Sequence, residues 1–147
     1  MNTIREYNRT KEEESRIMTI WLTVTIKAHP FIDKVYWMRQ FDIVKKEYLP
    51  SAKTYVYVEN DQILGFISII GGDTVGALFV DVKHQGRGIG GSLMRHVQGV
   101  SSDLKLSVYT RNKRAVAFYK KAGFAAEREQ TDFSTGQQEY VMRWRRG

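Results

Sequence analysis

Between Tyr55 and Val82 the chain repeats one pattern: a run of β-branched and aromatic residues closed by a tight turn. Tyr55 to Glu59 meets Ile63 to Ile70 across Asn60-Asp61, residues that tolerate the positive φ of a two-residue hairpin turn. Gly71-Gly72-Asp73 then turns the chain into Val75 to Val82. Strands joined this closely pair with their sequence neighbours, which predicts an antiparallel meander. A glycine-rich loop follows at once, then a helix with Ile89, Leu93, Val97 and Val100 on one face, then a strand from Leu104 to Tyr109. A helix lying between two strands is the usual means of making them parallel. Meander and crossover together predict an α/β fold in which a mixed, mostly antiparallel sheet is flanked by helices.

The remaining segments fit around that core. Ile17, Ile20, Trp21, Val24 and Ala28 have helical spacing, and Trp37, Phe41, Val44 and Tyr48 repeat it after the break at His29-Pro30. Pro30 and Pro50 both fall between periodic segments. A short helix presents Ala115, Phe118, Tyr119 and Ala122 and stops at Gly123, a residue suited to the left-handed position after a helix. Phe124 to Thr131 and Gln138 to Trp144 would close the sheet, with Thr3 to Tyr7 as a first strand. No repeat or linker interrupts the 147 residues, so a single domain over 1–147 is expected. The apolar runs are too short to span a membrane, and Met1 to Glu14 shows no apolar leader, so a cytoplasmic protein is expected.

The chain has no cysteine, which closes disulfide, thiol-nucleophile and thiolate-metal chemistry to it. His29, His84 and His96 are scattered without ligand spacing, and no metal is expected. Lys and Arg number 23 against 16 Asp and Glu, a formal charge of +7 that favours a polyanionic partner. Gly86, Gly88 and Gly91 satisfy a GxGxxG pattern, but a dinucleotide fold would place it at the first strand-to-helix turn with an acidic residue about 20 positions on. Here the loop follows a meander, and Leu104 to Tyr109 contains no acid. What remains is phosphate binding by backbone N–H groups at a helix N-terminus.

Leu78-Phe79-Val80-Asp81-Val82 followed by Gln85-Gly86-Arg87-Gly88-Ile89-Gly90 resembles the acetyl-CoA motif of the GNAT superfamily, Gln/Arg-x-x-Gly-x-Gly/Ala, with Gln85, Gly88 and Gly90 matching. Asn112, Ala115, Phe118, Tyr119, Gly123 and Phe124 resemble its second signature, N-x-x-A-x-x-F-Y-x-x-x-G-F. The likeness runs from Leu78 to Phe124, and the N-terminal helices fit by their order. It implies an N-acetyltransferase that moves an acetyl group from acetyl-CoA to a primary amine: a small amine, a lysine side chain or a protein N-terminus. Phe79 and Val80 would offer backbone groups to the pantetheine, Gly86 to Gly91 (with Arg87, Ile89 and Gly90) would hold the pyrophosphate, and Tyr119 would protonate the leaving thiolate.

Each assignment has a plainer alternative. Tyr119 shares an apolar face with Phe118, so its plainer alternative is an ordinary core aromatic, with the catalytic role the favoured reading. Asn112 either contacts the cofactor or caps the helix beginning near Arg114. His29 reads first as a solvent-facing loop histidine, with a part in the acceptor site as the alternative. The superfamily often places a glutamate on the strand ending at Val82 or on the next, and this chain has none in either, which leaves the base unassigned among Asp81, Glu59, Asp33 and a relayed water. Ser107 cannot serve unaided. Lys83, Arg87, Arg111, Lys113 and Arg114 suit the phosphates of CoA. The rival reading is a basic nucleic-acid-binding protein, resting on Arg143, Arg145, Arg146 and the net charge.

Overall fold

The computed structural model describes residues 2–147. Its centre is the expected meander: β2 (Lys53–Glu59), β3 (Gln62–Ile70) and β4 (Thr74–Val80), with β1 (Asn2–Glu6) antiparallel to β2 at the outer edge. The first turn places Asn60 and Asp61 at φ 51° and 62°, and the second places Gly71 and Gly72 at 63° and 82°. Between β1 and β2 run α1 (Lys11–Ala28) and α2 (Lys34–Ile43). After β4 come α4 (Ile89–Val100), β5 (Asp103–Tyr109), α5 (Lys113–Lys121), β6 (Ala125–Asp132) and β7 (Gln137–Arg145). The sheet order is β1-β2-β3-β4-β5-β7-β6, antiparallel everywhere except between β4 and β5. This is the mixed sheet the periodicities call for.

Successive residues of β3 point to opposite faces, so each face has its own core. Phe66 joins Ile17, Ile20, Trp21 and Val24 of α1, while Ile67 joins Ile89, Leu93 and Val97 of α4. Burying two faces of one sheet against helices is what turns a meander into a stable layered fold. Met94 completes the α4 stripe, and Val100, expected on it, is exposed because the helix ends there. On α2 and the π-helical turn after it the apolar face is shallower: Trp37 and Phe41 of α2 and Val44 of the turn are partly buried, and Tyr48 at the turn's end is exposed.

Two expected boundaries move. Pro50 lies not between segments but in a helical turn, α3 (Leu49–Ser51), reached through a widened π-helical turn over Val44–Tyr48. In that turn the Leu49 N–H reaches back to the Val44 carbonyl. A proline ring offers no N–H and crowds the carbonyl four residues back, and a wide turn before it relieves the crowding. The third strand ends at Val80 rather than Val82: the Asp81 N–H still bonds the Leu64 carbonyl of β3 at 2.8 Å, and Val82–His84 then coils into a 3₁₀ turn with the His84 N–H on the Asp81 carbonyl.

Among the described residues no helix is long and apolar enough to cross a membrane. Gly65 marks a close approach between β3 and the strand that carries the site. A Cβ there would stand 2.9 Å from the Phe79 backbone carbonyl, with Ile89 and Leu93 at 3.4 Å behind it. Neither strand can yield without disturbing its neighbours, so Gly65→Ala is expected to cost about 1–3 kcal/mol by overpacking. Urea unfolding should show a lowered midpoint at unchanged slope; a midpoint equal to the parent's would show that β4 can shift freely.

Candidate active site

β4 and β5 share one registered pair, Thr74 with Lys105, after which the strands part. The opening is a cleft of about 790 Å³, within the range of small-molecule sites. One wall is Val75 to Val80 of β4, and the other is Ser107, Val108 and Tyr109 of β5 with Ala115, Phe118 and Tyr119 of α5. The segment Ala28-His29-Pro30-Phe31, leaving α1, borders the same space. Parting leaves the facing backbone groups of β4 and β5 without ladder partners, and such groups need others.

The glycine-rich loop lies at the carboxyl end of β4. Gly86 and Gly88 have φ of 81° and 84°, a region costly for side chains, and a Cβ on either would meet only open space. The loop is therefore shaped by backbone conformation and not by packing. Gly88 is the residue before α4, and no side chain caps that helix. The first amides of α4 thus face the cleft end without an intrahelical acceptor, where the helix dipole also favours an anion. Gln85 pins the loop to the strand by donating its Nε2–H to the Val80 carbonyl at 3.0 Å. A Cβ on Gly90 would rest on Phe118 at 3.5 Å, and one on Gly91 would press on the Arg95 guanidinium at 3.1 Å. An open, uncapped, glycine-shaped cradle fits a pyrophosphate.

Phe79, Val80, Gln85, Gly86, Gly88, Ile89, Gly90, Gly91, Asn112 and Tyr119 all border the cleft. The Ile89 side chain is buried in the α4 core, which leaves its backbone to the loop. Arg87 is the exception: its guanidinium pairs with Glu59 at 2.8 Å, and it does not line the cleft. That pairing holds the Glu59 carboxyl below its ordinary range, and Glu59 does not line the cleft either. Of the other cations, Arg111, Lys113 and Arg114 line the cleft and Lys83 does not, while Lys27 of α1 joins them.

The Tyr119 hydroxyl is pushed up to about 12 by burial, with no charge or hydrogen bond contributing. Asp81 accepts from Arg16 at 3.1 Å and sits 3.2 Å from His84 Nδ1. Burial works against its charge, but Arg16 and His84 outweigh it and hold the carboxyl below its ordinary range. Asp33 caps α2 by accepting from the Val35 N–H. Each carboxylate considered as a base is thus engaged elsewhere, and no Asp or Glu lines the cleft among the described residues.

His29 is the clearest departure from expectation. It is 8% exposed, not solvent-facing, because the rings of Phe31, Trp37 and Tyr109 enclose it at centroid distances of 5.7, 5.3 and 5.2 Å. Its Nδ1 lies 2.8 Å from the Thr25 carbonyl, and its Nε2 lies 3.3 Å from the Asn112 amide nitrogen. Asn112 in turn caps α5 through its Oδ1, which accepts the Ala115 N–H at 3.2 Å, so it both caps and borders the cleft. Tyr109, passed over in the sequence, lines the cleft and donates its hydroxyl to Asp132 at 2.6 Å. Its only sequence signal is an aromatic at the end of a strand beside the second signature.

Comparison with known proteins agrees with this geometry. The Acetyltransferase (GNAT) domain model matches residues 50–126, which holds the cleft strands, the loop and α5. A peptidyl-lysine N-acetyltransferase of Escherichia coli, YiaC, is 37% identical over 145 residues, covering 96% of this chain and 95% of that one. The solution structure of apo YjaB from Escherichia coli superposes with a TM-score of 0.82 at 28% identity, covering 98% of this chain and 97% of that one. A PaiA N-acetyltransferase from Thermoplasma acidophilum, solved in complex with coenzyme A, shares the fold with a TM-score of 0.80 at 17% identity over 98% and 99% of the two chains. The chain belongs to the GNAT acetyltransferases, enzymes that use acetyl-CoA as cosubstrate to acetylate an amine.

Proposed function

We propose that the acceptor is a lysine side chain of another protein, that residues 1–147 act as one domain, and that Tyr119 is the proton donor of the reaction. The reading of the acceptor is carried by likeness along almost the whole chain to an enzyme named for peptidyl-lysine. The single-domain reading is supported by one sheet that draws strands from both ends of the sequence.

Bound acetyl-CoA supplies a thioester whose carbonyl is attacked and whose sulfur leaves as a thiolate. The protein's part is to hold and orient. The Gly86 to Gly91 backbone takes the pyrophosphate, with the α4 dipole behind it, and the open edge of β4 at Phe79 and Val80 takes the pantetheine amides. Arg111, Lys113 and Arg114 add positive charge along the same walls. Tyr119 holds a proton at Oη: with its pKa raised to about 12, it stays protonated through neutral and mildly alkaline solution.

An attacking lysine must first be neutral, though its unperturbed pKa is about 10.4. Among the described residues the cleft offers no carboxylate, but it offers like charge. Arg111, Lys113 and Arg114 lie with the phosphates of CoA, which leaves Lys27 as the like charge that disfavours a further cation and tilts an incoming ammonium toward its neutral form. The proton then passes to water at the cleft mouth.

The direct test is release of CoA thiol with peptides whose N-terminus is blocked and whose lysine is free, against peptides with the reverse arrangement. Turnover of the first set is expected; turnover confined to the second would replace lysine with a terminal amine. Gly88→Val should weaken CoA binding at least about tenfold, since a β-branched residue at φ 84° distorts the cradle. Calorimetric affinity equal to the parent's, in a folded variant, would move the pyrophosphate elsewhere. Tyr119→Phe keeps the ring and loses the hydroxyl, and kcat should fall by about 100-fold or more with CoA affinity nearly unchanged. A parent-like kcat would make Tyr119 a packing residue.

A further inference from the structure

The buried histidine has bonding that can be solved from its partners. A backbone carbonyl only accepts, so at 2.8 Å from the Thr25 oxygen the Nδ1 of His29 carries the hydrogen. In the neutral ring Nε2 is then a bare acceptor. Asn112 presents one heteroatom to it at 3.3 Å, and that atom is the amide nitrogen, because the Asn112 oxygen is committed to the Ala115 N–H at 3.2 Å. Each of the three bonds fixes the direction of the next: Thr25 accepts from His29, His29 accepts from Asn112, and Asn112 accepts from the first turn of α5.

Neutrality of the ring has a physical basis. Burial lowers the pKa of His29, opposed in part by the bond to Thr25. The groups packed around the ring are Phe31 from its own loop, Trp37 from α2 and Tyr109 from β5. Of these only Tyr109 titrates, and burial with its bond to Asp132 raises it. Arg111 stacks on Phe31 at 5.0 Å and makes no contact with the imidazole itself. Among the described residues no carboxylate bonds the ring.

We infer that His29 is a positioning residue for the cofactor: its bare Nε2 orients the Asn112 amide so that the second amide hydrogen is left for a ligand in the cleft. The placement has a consequence for Tyr119 as well, since the amide so oriented caps the helix on which Tyr119 stands. His29 thereby joins the end of α1 to the start of α5, residues 83 apart in the chain. The inference rests on Asn112 contacting CoA, and the experiment separates the two.

CoA affinity is measured by calorimetry for Asn112→Ala, His29→Gln, His29→Asn and the double variant His29→Asn/Asn112→Ala, with Tm recorded for each. Gln can place an oxygen where Nε2 stands and keep the bond to Asn112. Asn reaches only the Nδ1 position. With one hydrogen bond at stake, Asn112→Ala and His29→Asn should each weaken CoA by roughly 3- to 10-fold, and His29→Gln by less than about 3-fold. The double variant should bind like Asn112→Ala alone.

Equal affinity of the Gln and Asn variants, or losses that multiply in the double variant, would overturn the inference whatever their Tm. Unchanged affinity in Asn112→Ala would remove the cofactor contact itself, and the inference with it. Nitrogen NMR of the parent protein decides independently of how the variants fold: a neutral His29 protonated at Nδ1 supports the arrangement, and a proton on Nε2 refutes it.

Discussion

A sheet whose two central strands touch at one position and then diverge is the constraint on which this molecule is built. β4 carries an extra residue at Gly76, where Ser68 faces Ala77 and Ile69 faces Val75. A bulge of this kind bends its strand and sharpens its twist, and here it lies within two residues of the last contact with β5. Gly76 suits the place, since a Cβ there would collide with Ile70. The divergence creates the cleft and leaves unpaired backbone along it. It also aims the carboxyl ends of two parallel strands at the same space, the position where open α/β sheets commonly hold ligands.

How far this could be read from residues alone depends on the range of the forces involved. The hairpin at Asn60-Asp61 and the glycine loop are local: backbone torsion at a few residues decides them, and the sequence names those residues. The end of β4 is not, because its last bond, from Asp81, goes to the Leu64 carbonyl on β3, 17 residues earlier in the chain. Arg87 sits inside a phosphate-binding motif, yet its side chain answers to Glu59 on a different strand. His29 looked solvent-facing because nothing near it in sequence encloses it apart from Phe31. Trp37 and Tyr109 reach it only after α2 and β5 have packed. Motifs located the site, and tertiary packing decided which side chains of the motifs face it.

Charge follows the same division. Arg16, Arg87 and Arg143 are engaged with Asp81, Glu59 and Asp103, and Arg146 bonds the carbonyls of Gln98 and Ser101. Three of the residues that suggested a general polyanion binder therefore have partners inside the molecule, counting Arg145 beside Asp103 at 3.9 Å. By contrast Lys27, Arg111, Lys113 and Arg114 form no ion pair among the described residues and border the cleft. The basic excess of the composition lies where a phosphorylated ligand and an amine would meet, on exposed side chains whose pull salt weakens.

The sheet is in effect two plates. One, β1 to β4, carries α1 and α2; the other, β5 with β7 and β6, carries α5. At one end they are riveted by Thr74 against Lys105, with the Lys105 N–H on the Asp73 carbonyl at 2.9 Å. At the other end the His29 to Asn112 bond spans them. A slot fastened at both ends has a width fixed by its fastenings and not by its contents, whereas one fastened at a single end would gape like a clothes-peg. That end is doubled, since Phe31 and Trp37 also rest on Tyr109 across the gap and the α4 core lies under both plates, so loss of the hydrogen bond alone would slacken the slit without unhinging it.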